Sequence, residues 1–222
     1  MIEIKGLTKR YTVRSQPVYA LNDVALSFPE GTYASITGPS GSGKSTLLFT
    51  IAGLIRPTAG AVEVDGLLVY RLSSGARARL RAERMGFVFQ MFYLVPYLTV
   101  AENVAVALGA RGMGGEEGDG LVRAVLDRVG LGKRLNHKPG ELSTGEQQRV
   151  ALARAVVNHP RIILADEPTG NLDPGLAGQL LDYLDEFHKD GMTILLATHD
   201  PSAAARATQR VRLVEGRVGS VE

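Results

Sequence analysis

The sequence predicts an α/β fold: a parallel β-sheet core, preceded by an antiparallel β segment and interrupted by a helical block. RIILAD (161–166) and MTILLATHD (192–200) are nearly unbroken apolar runs, the pattern of strands buried on both faces. Between them PGLAGQLLDYLDEFHKDG has the spacing of an amphipathic helix. TYASIT (32–37) runs straight into a glycine-rich loop and then a helix, so strand and helix alternate on both sides of the chain.

In order along the chain, IEI, VYALNDVALSF and TYASIT read as short β segments within residues 2–37. A helix follows from about Lys44 and is broken by RPTAG at Arg56–Gly60, after which AVEVDG resumes strand alternation before a turn. SGARARLRAERM is a mostly solvated helix with Leu80 and Met85 as its apolar contacts, and GFVFQ (Gly86–Gln90) is the next strand. From there to about His159 the strand signal fades, leaving helices at Val100–Leu108, Leu121–Val129 and Ser143–Asn158. RGMGGEEGDG (Arg111–Gly120) has little to pack and is expected to be the most flexible part of this block. VRLVEGRVGSVE closes the chain as a hairpin turning at Glu215-Gly216, and no internal repeat is present.

Composition excludes several classes. The 222 residues suit one large domain with an inserted subdomain. Lys plus Arg number 25 against 23 Asp plus Glu, a net charge of +2 that supplies no strong pull toward nucleic acid or anionic lipid. There is no cysteine, so disulfides, thiolate metal sites and cysteine nucleophiles are excluded. MIEIKGLTKRY lacks the apolar segment of a secretory signal. The longest apolar run, LLFTIAGLI at Leu47–Ile55, is well short of the roughly 18 residues a spanning helix needs. If the protein works at a membrane, another chain is expected to supply the span.

GPSGSGKST contains G-x-x-x-x-G-K-[ST] at Gly38–Ser45, after a strand and before a helix, the context that identifies a phosphate loop. Its backbone N–H groups and the helix N-terminus suit a β-phosphate. Lys44 suits the β- and γ-phosphates, and the Ser45 hydroxyl suits Mg²⁺. Asp166 ends an apolar strand, the position at which ligands bind in parallel sheets, and suits Mg²⁺ through its hydration shell. Glu167, next along, can orient or deprotonate an attacking water. Gln90 and His199 also end strands, where one can coordinate Mg²⁺ or water and the other sense a γ-phosphate. His137, His159 and His188 have no comparable setting.

Ser143 and Glu146 bracket Thr144 and Gly145 as a capping box that opens a helix in LSTGEQQRVALAR. Such a tip offers N–H groups to a phosphate but no lysine to enclose one, so it is half a site or an ordinary helix start. Asp173 with Pro174 is a good N-cap in its own right. Tyr11 can stack on a base or simply pack.

Together these motifs resemble the nucleotide-binding subunit of ABC transporters over nearly the whole chain. The family's order is kept: an aromatic at Tyr11, Walker A at Gly38–Ser45, the Q-loop at Gln90, the signature at Leu142–Glu146, Walker B at Ile162–Glu167, the D-loop at Asn171–Asp173 and the switch histidine His199. FVFQMFYLVPYLTVAENVAVAL and ILADEPTGNLDP are most similar to the lipoprotein-releasing and macrolide-export (LolD/MacB-like) branch, with the cell-division ATPase FtsE nearby.

The resemblance implies a single domain over 1–222: a P-loop NTPase (RecA-like) core at 1–90 and 160–222, and a helical subdomain at 91–159. It implies ATP and Mg²⁺ as cofactors. Tyr11, Gly38, Pro39, Ser40, Gly41, Ser42, Gly43, Lys44, Ser45 and Thr46 would bind the nucleotide, with Ser143 and Gly145 capping it. Ser45, Gln90 and Asp166 would serve the metal. Glu167 would act as general base, with His199, Gln90 and Lys44 beside it, and Asp173 at a dimer seam. The implied assembly is a head-to-tail homodimer formed on ATP and docked on an integral membrane permease, cytoplasmic and peripheral on the inner face of the membrane, with no nucleic acid. The apolar run MFYLVPYL either packs internally or receives a short helix of that permease. The implied task is moving lipids, lipoproteins, peptides or drugs, with export the favoured direction, or transmitting force across the membrane. Alternatives are an FtsE-like control of cell-wall enzymes and a soluble ABC ATPase on nucleic acid, although the chain has neither a long coiled-coil insertion nor fused ATPase halves. The signature departs from the family's LSGGQ: Thr144 adds a side chain where glycine is usual, and Glu146 places an acid near a polyanion.

Overall fold

The computed structural model covers residues 1–222. β1 (Ile2–Val13) and β2 (Gln16–Phe28) form a long antiparallel hairpin. Arg14 and Ser15 join them with φ of 48° and 65°, the mirror-image turn that matches strand twist. The ribbon is longer than the segments IEI and VYALNDVALSF suggest. Backbone pairing carries it past Leu7 although its outer residues, apolar and polar alike, are exposed, a continuation that side-chain alternation does not reveal.

β3 (Tyr33–Thr37) is buried and leads through residues 38–43 into α1 (Lys44–Ile51). β4 (Ala59–Val64) and β5 (Leu67–Leu68) join the hairpin in a sheet of order β2-β1-β4-β5. α2 (Ser74–Arg84) is followed without a loop by β6 (Met85–Phe89), so Met85 is the first residue of a strand rather than a contact of the helix. α3 (Val100–Gly109), α4 (Gly115–Arg128) and α5 (Thr144–Val156) make up the helical block. β7 (Ile162–Asp166), α6 (Pro174–Lys189), β8 (Thr193–Ala197), the short α7 (Pro201–Ala204), β9 (Gln209–Val214) and β10 (Arg217–Val221) complete the chain.

The central sheet has the order β10-β9-β3-β8-β7-β6, parallel except for β10. One face packs Ile36, Leu164 and Leu195 against Leu47, Leu48 and Ile51 of α1 and against the antiparallel sheet. The other packs Ile163, Ile194 and Leu196 against α3–α6. Successive residues of β7 and β8 therefore enter opposite cores, which is why Ile162–Ala165 and Ile194–Ala197 are unbroken apolar runs.

Within the glycine-rich segment 111–120 the helix starts earlier than the Leu121–Val129 expected from the sequence. α4 begins at Gly115, with Glu116 and Glu117 in its first turn, where acids complement the helix dipole. Gly118 is buried on α4 facing α3, where a Cβ would make only an ordinary contact with Leu108 Cδ1 at 3.5 Å.

Candidate active site

The carboxyl ends of β3, β6, β7 and β8 open on one side of the sheet, where ligands collect in such folds. The loop after β3 wraps tightly: Gly43 has φ 105°, and a Cβ there would stand 2.3 Å from Ala20 O of β2. Glycine at 38 is equally required, since a Cβ would stand 2.1 Å from Leu213 O. The Lys44 ammonium donates to Gly38 O at 2.9 Å and Pro39 O at 3.3 Å and lies 3.8 Å from Glu167 Oε1. Ser45 Oγ donates to Asp166 Oδ1 at 2.9 Å.

Glu167 leaves β7 with φ 48°, a left-handed conformation costly for a side chain. Its N–H donates to Ala197 O at 2.8 Å, which fixes that turn against β8. Its Oε2 lies 2.8 Å from His199 Nδ1 and accepts from the His199 backbone N–H at 3.3 Å. Gln90, just past β6, completes the rim. Ala20, Ser40 to Thr46, Gln90, Glu167 and His199 line one cavity of about 620 Å³. Burial pushes the Asp166 carboxyl above its ordinary range. The Ser45 hydrogen bond opposes this, the Glu167 charge adds to it and Lys44 opposes it.

No group of three or more His, Cys, Asp or Glu is placed to hold a metal alone. Ser45 and Asp166 offer instead a pair of hard oxygens beside the phosphate loop. That donor set fits Mg²⁺, which keeps its waters and shares phosphate oxygens.

The family model described as ABC transporter matches residues 21–170. The chain belongs to the ABC transporter family. It is 44% identical over 219 residues to the lipoprotein-releasing system ATP-binding protein LolD of Geobacter metallireducens, covering 98% of this chain and 97% of that protein. It is 41% identical over 218 residues to the macrolide export ATP-binding/permease protein MacB 1/2 of Paracoccus denitrificans, covering 98% of this chain but 33% of that protein. The chain thus spans about a third of the length of the MacB relatives it matches. Among solved structures it is similar to the dimeric bacterial ABC transporter cassette MJ0796, with TM-score 0.93, 41% identity and coverage of 100% of this chain and 98% of that one. A post-hydrolysis dimer of the same cassette bound to ADP and Pi has TM-score 0.93, 40% identity and the same coverage. The expectation of an ABC-type ATP hydrolase with a P-loop NTPase fold therefore holds.

This ABC cassette does not gather all its expected residues in one place. Ser143 and Gly145 lie outside the cavity, at the start of α5. The capping box forms: Ser143 Oγ accepts from Glu146 N at 3.3 Å, and Glu146 Oε2 accepts from Ser143 N at 2.9 Å. Gly145 is buried against Leu176, within 2.7 Å of where a Cβ would stand. Tyr11 sits on the β1–β2 ribbon opposite Val18, 40% exposed, outside the cavity lining, with Lys9 Nζ 4.8 Å from its ring. Asp173 caps α6, its Oδ1 accepting from Gly175 N at 2.9 Å and Leu176 N at 3.0 Å.

Sequence reasoning missed Ala20 as a wall of the cavity and Arg134 as a partner of Glu146, at 3.0 Å from its Nε. It named Asn171 only as part of a loop, whereas its amide pairs with Gln90. None of these had a local signal, because each depends on a contact across the fold.

Proposed function

We propose that two copies of this chain close head to tail on ATP and Mg²⁺ and drive a separate membrane permease of the export type. The observation that carries the reading is the separation of the two phosphate devices. The loop at 38–45 has the lysine, and the capped tip at Ser143–Gly145 has free N–H groups but lies outside its own chain's cavity. A two-fold arrangement brings each tip to the other copy's loop. The dimeric form of the 41%-identical MJ0796 cassette supports this.

In this reading Lys44 and the loop amides hold the phosphates, Ser143 and Gly145 of the second copy cap the γ-phosphate, and Tyr11 stacks on adenine. Ser45, Gln90 and, through water, Asp166 would hold Mg²⁺, which would supply positive charge against that developing on the phosphates. Glu167 takes the proton of the attacking water, and His199 holds that carboxylate and faces the γ-phosphate. Asp173 lies at the seam. The core is residues 1–90 and 160–222, with 91–159 as the arm that carries the signature.

The partner surface is a groove of about 480 Å³ between α2, β6 and the end of α3, with Phe87, Phe89, Tyr93 and Ala107 in its walls. Arg154 donates to Phe92 O and Tyr93 O, both at 2.7 Å, and so holds the apolar run in place. Met91, Tyr93 and Tyr97 remain 60–74% exposed, more than packing alone calls for. A short apolar helix of a permease fits there. No helix of this chain is long and apolar enough to cross a membrane, in keeping with a peripheral position on the cytoplasmic face. The names of the relatives, lipoprotein release and macrolide export, support extrusion of lipoprotein, lipid or drug. The test is gentle detergent extraction from the native membrane: an integral permease co-purifies in the expected case. Recovery with nucleic acid and no membrane protein contradicts the reading.

A further inference from the structure

We infer that Arg134 is a positioning residue for the composite ATP site, holding the Glu146 carboxylate away from the γ-phosphate that the start of α5 offers to cap. The inference rests on the head-to-tail reading above.

Glu146 poses an electrostatic difficulty. It follows Gly145 directly, on a helix tip that would approach a triphosphate, and like charges at such range repel strongly. Both of its oxygens are engaged on the chain's own side: Oε2 accepts from Ser143 N at 2.9 Å and Oε1 from Arg134 Nε at 3.0 Å. The Ser143 amide foremost, with its hydroxyl and Arg134 adding to it, holds the carboxyl below its ordinary range, so the acid is ionised. The capping box fixes where one oxygen points, and only Arg134 balances the charge.

Arg134 is held in place for this. Its Nη1 lies 3.1 Å from His137 Nε2. Its loop is tied to α3, because Leu135 O accepts from Ala101 N at 3.0 Å and His137 O from Val100 N at 2.8 Å. Lys133, Asp127, Gly130 and Gly132 share the polar cleft that Arg134 and Glu146 line. As an ion pair with the arginine side chain 44% exposed, the contact adds little to fold stability. Its consequence lies in the field at the helix tip.

The test is a double-mutant cycle in the full chain carrying Glu167→Gln, reading ATP-driven dimerisation by sedimentation and nucleotide binding by fluorescent ATP analogue. Arg134→Gln should weaken dimerisation about tenfold, the scale of one lost charge-assisted hydrogen bond, with nucleotide binding by the monomer unchanged. Adding Glu146→Gln should restore it to within about twofold, since the unbalanced charge is gone, and Arg134→Lys should keep it. Unchanged dimerisation in Arg134→Gln, or a double variant as impaired as the single one, overturns the inference and leaves the head-to-tail reading standing. If the Glu167→Gln parent stays monomeric with ATP, both fall, and the parent alone shows it.

Discussion

Gln90 and Asn171 exchange hydrogen bonds across the site, Asn171 Nδ2 donating to Gln90 O at 2.9 Å and Gln90 Nε2 to Asn171 Oδ1 at 3.3 Å. The residue just past β6 is thereby bolted to the loop that follows β7, and Gly170 leaves the room, since a Cβ there would meet Gln90 Nε2 at 2.9 Å. Asn171→Ala frees the Gln90 side chain without touching the phosphate loop. The expected outcome is a kcat about tenfold lower, on the scale of one lost hydrogen bond, with ATP affinity retained in a binding titration. A wild-type kcat contradicts the bolt.

Gly43→Ala tests the loop. The added methyl meets Ala20 O at 2.3 Å, and φ of 105° is unsuited to alanine. Thermal unfolding should show a loss of about 1–3 kcal/mol, and ATP binding should disappear, because the amides that line the cavity shift with residue 43.

Asp166 gives a pH signature. Burial raises its folded pKa above the ordinary aspartate value. The folded chain then binds that proton more tightly than the unfolded one, so stability falls as pH rises from the ordinary value through the folded one. Above that window the penalty is fully present. Asp166→Asn removes it, so the ligand-free variant should melt higher than the parent at neutral pH, converge with it in acid, and lose Mg²⁺-dependent turnover. Calorimetry across pH checks this. A lower melting temperature at neutral pH is the contrary result.

Much of this site was legible in the sequence, for a physical reason. Residues 38–45, Asp166 and Glu167 are contiguous with the strands that position them, so the local pattern already states the geometry. Gln90 and His199 were weak signals alone and gained meaning when the parallel order β8-β7-β6 aligned their strand ends. The Gln90–Asn171 pair was hidden because its members are 81 residues apart. Arg134 was hidden because nothing in LGKRLNHKP shows that its loop folds back on α5. In 111–120 the glycines hid the start of α4 at Gly115, ahead of the Leu121 that apolar spacing indicated.

Glu167→Gln should lower turnover by about 10² to 10⁴, the range for a lost general base, while ATP binding persists. The amide retains a partner for His199 but cannot take a proton. Hydrolysis near the parental rate removes Glu167 from that role.

The same variant allows the most direct measurement of the account, a structure with ATP and Mg²⁺. It should be a two-fold dimer with Ser143 and Gly145 of each copy against the γ-phosphate held by Lys44 of the other. A nucleotide-bound monomer, or a dimer with the Ser143 helix tip in solvent, contradicts the account.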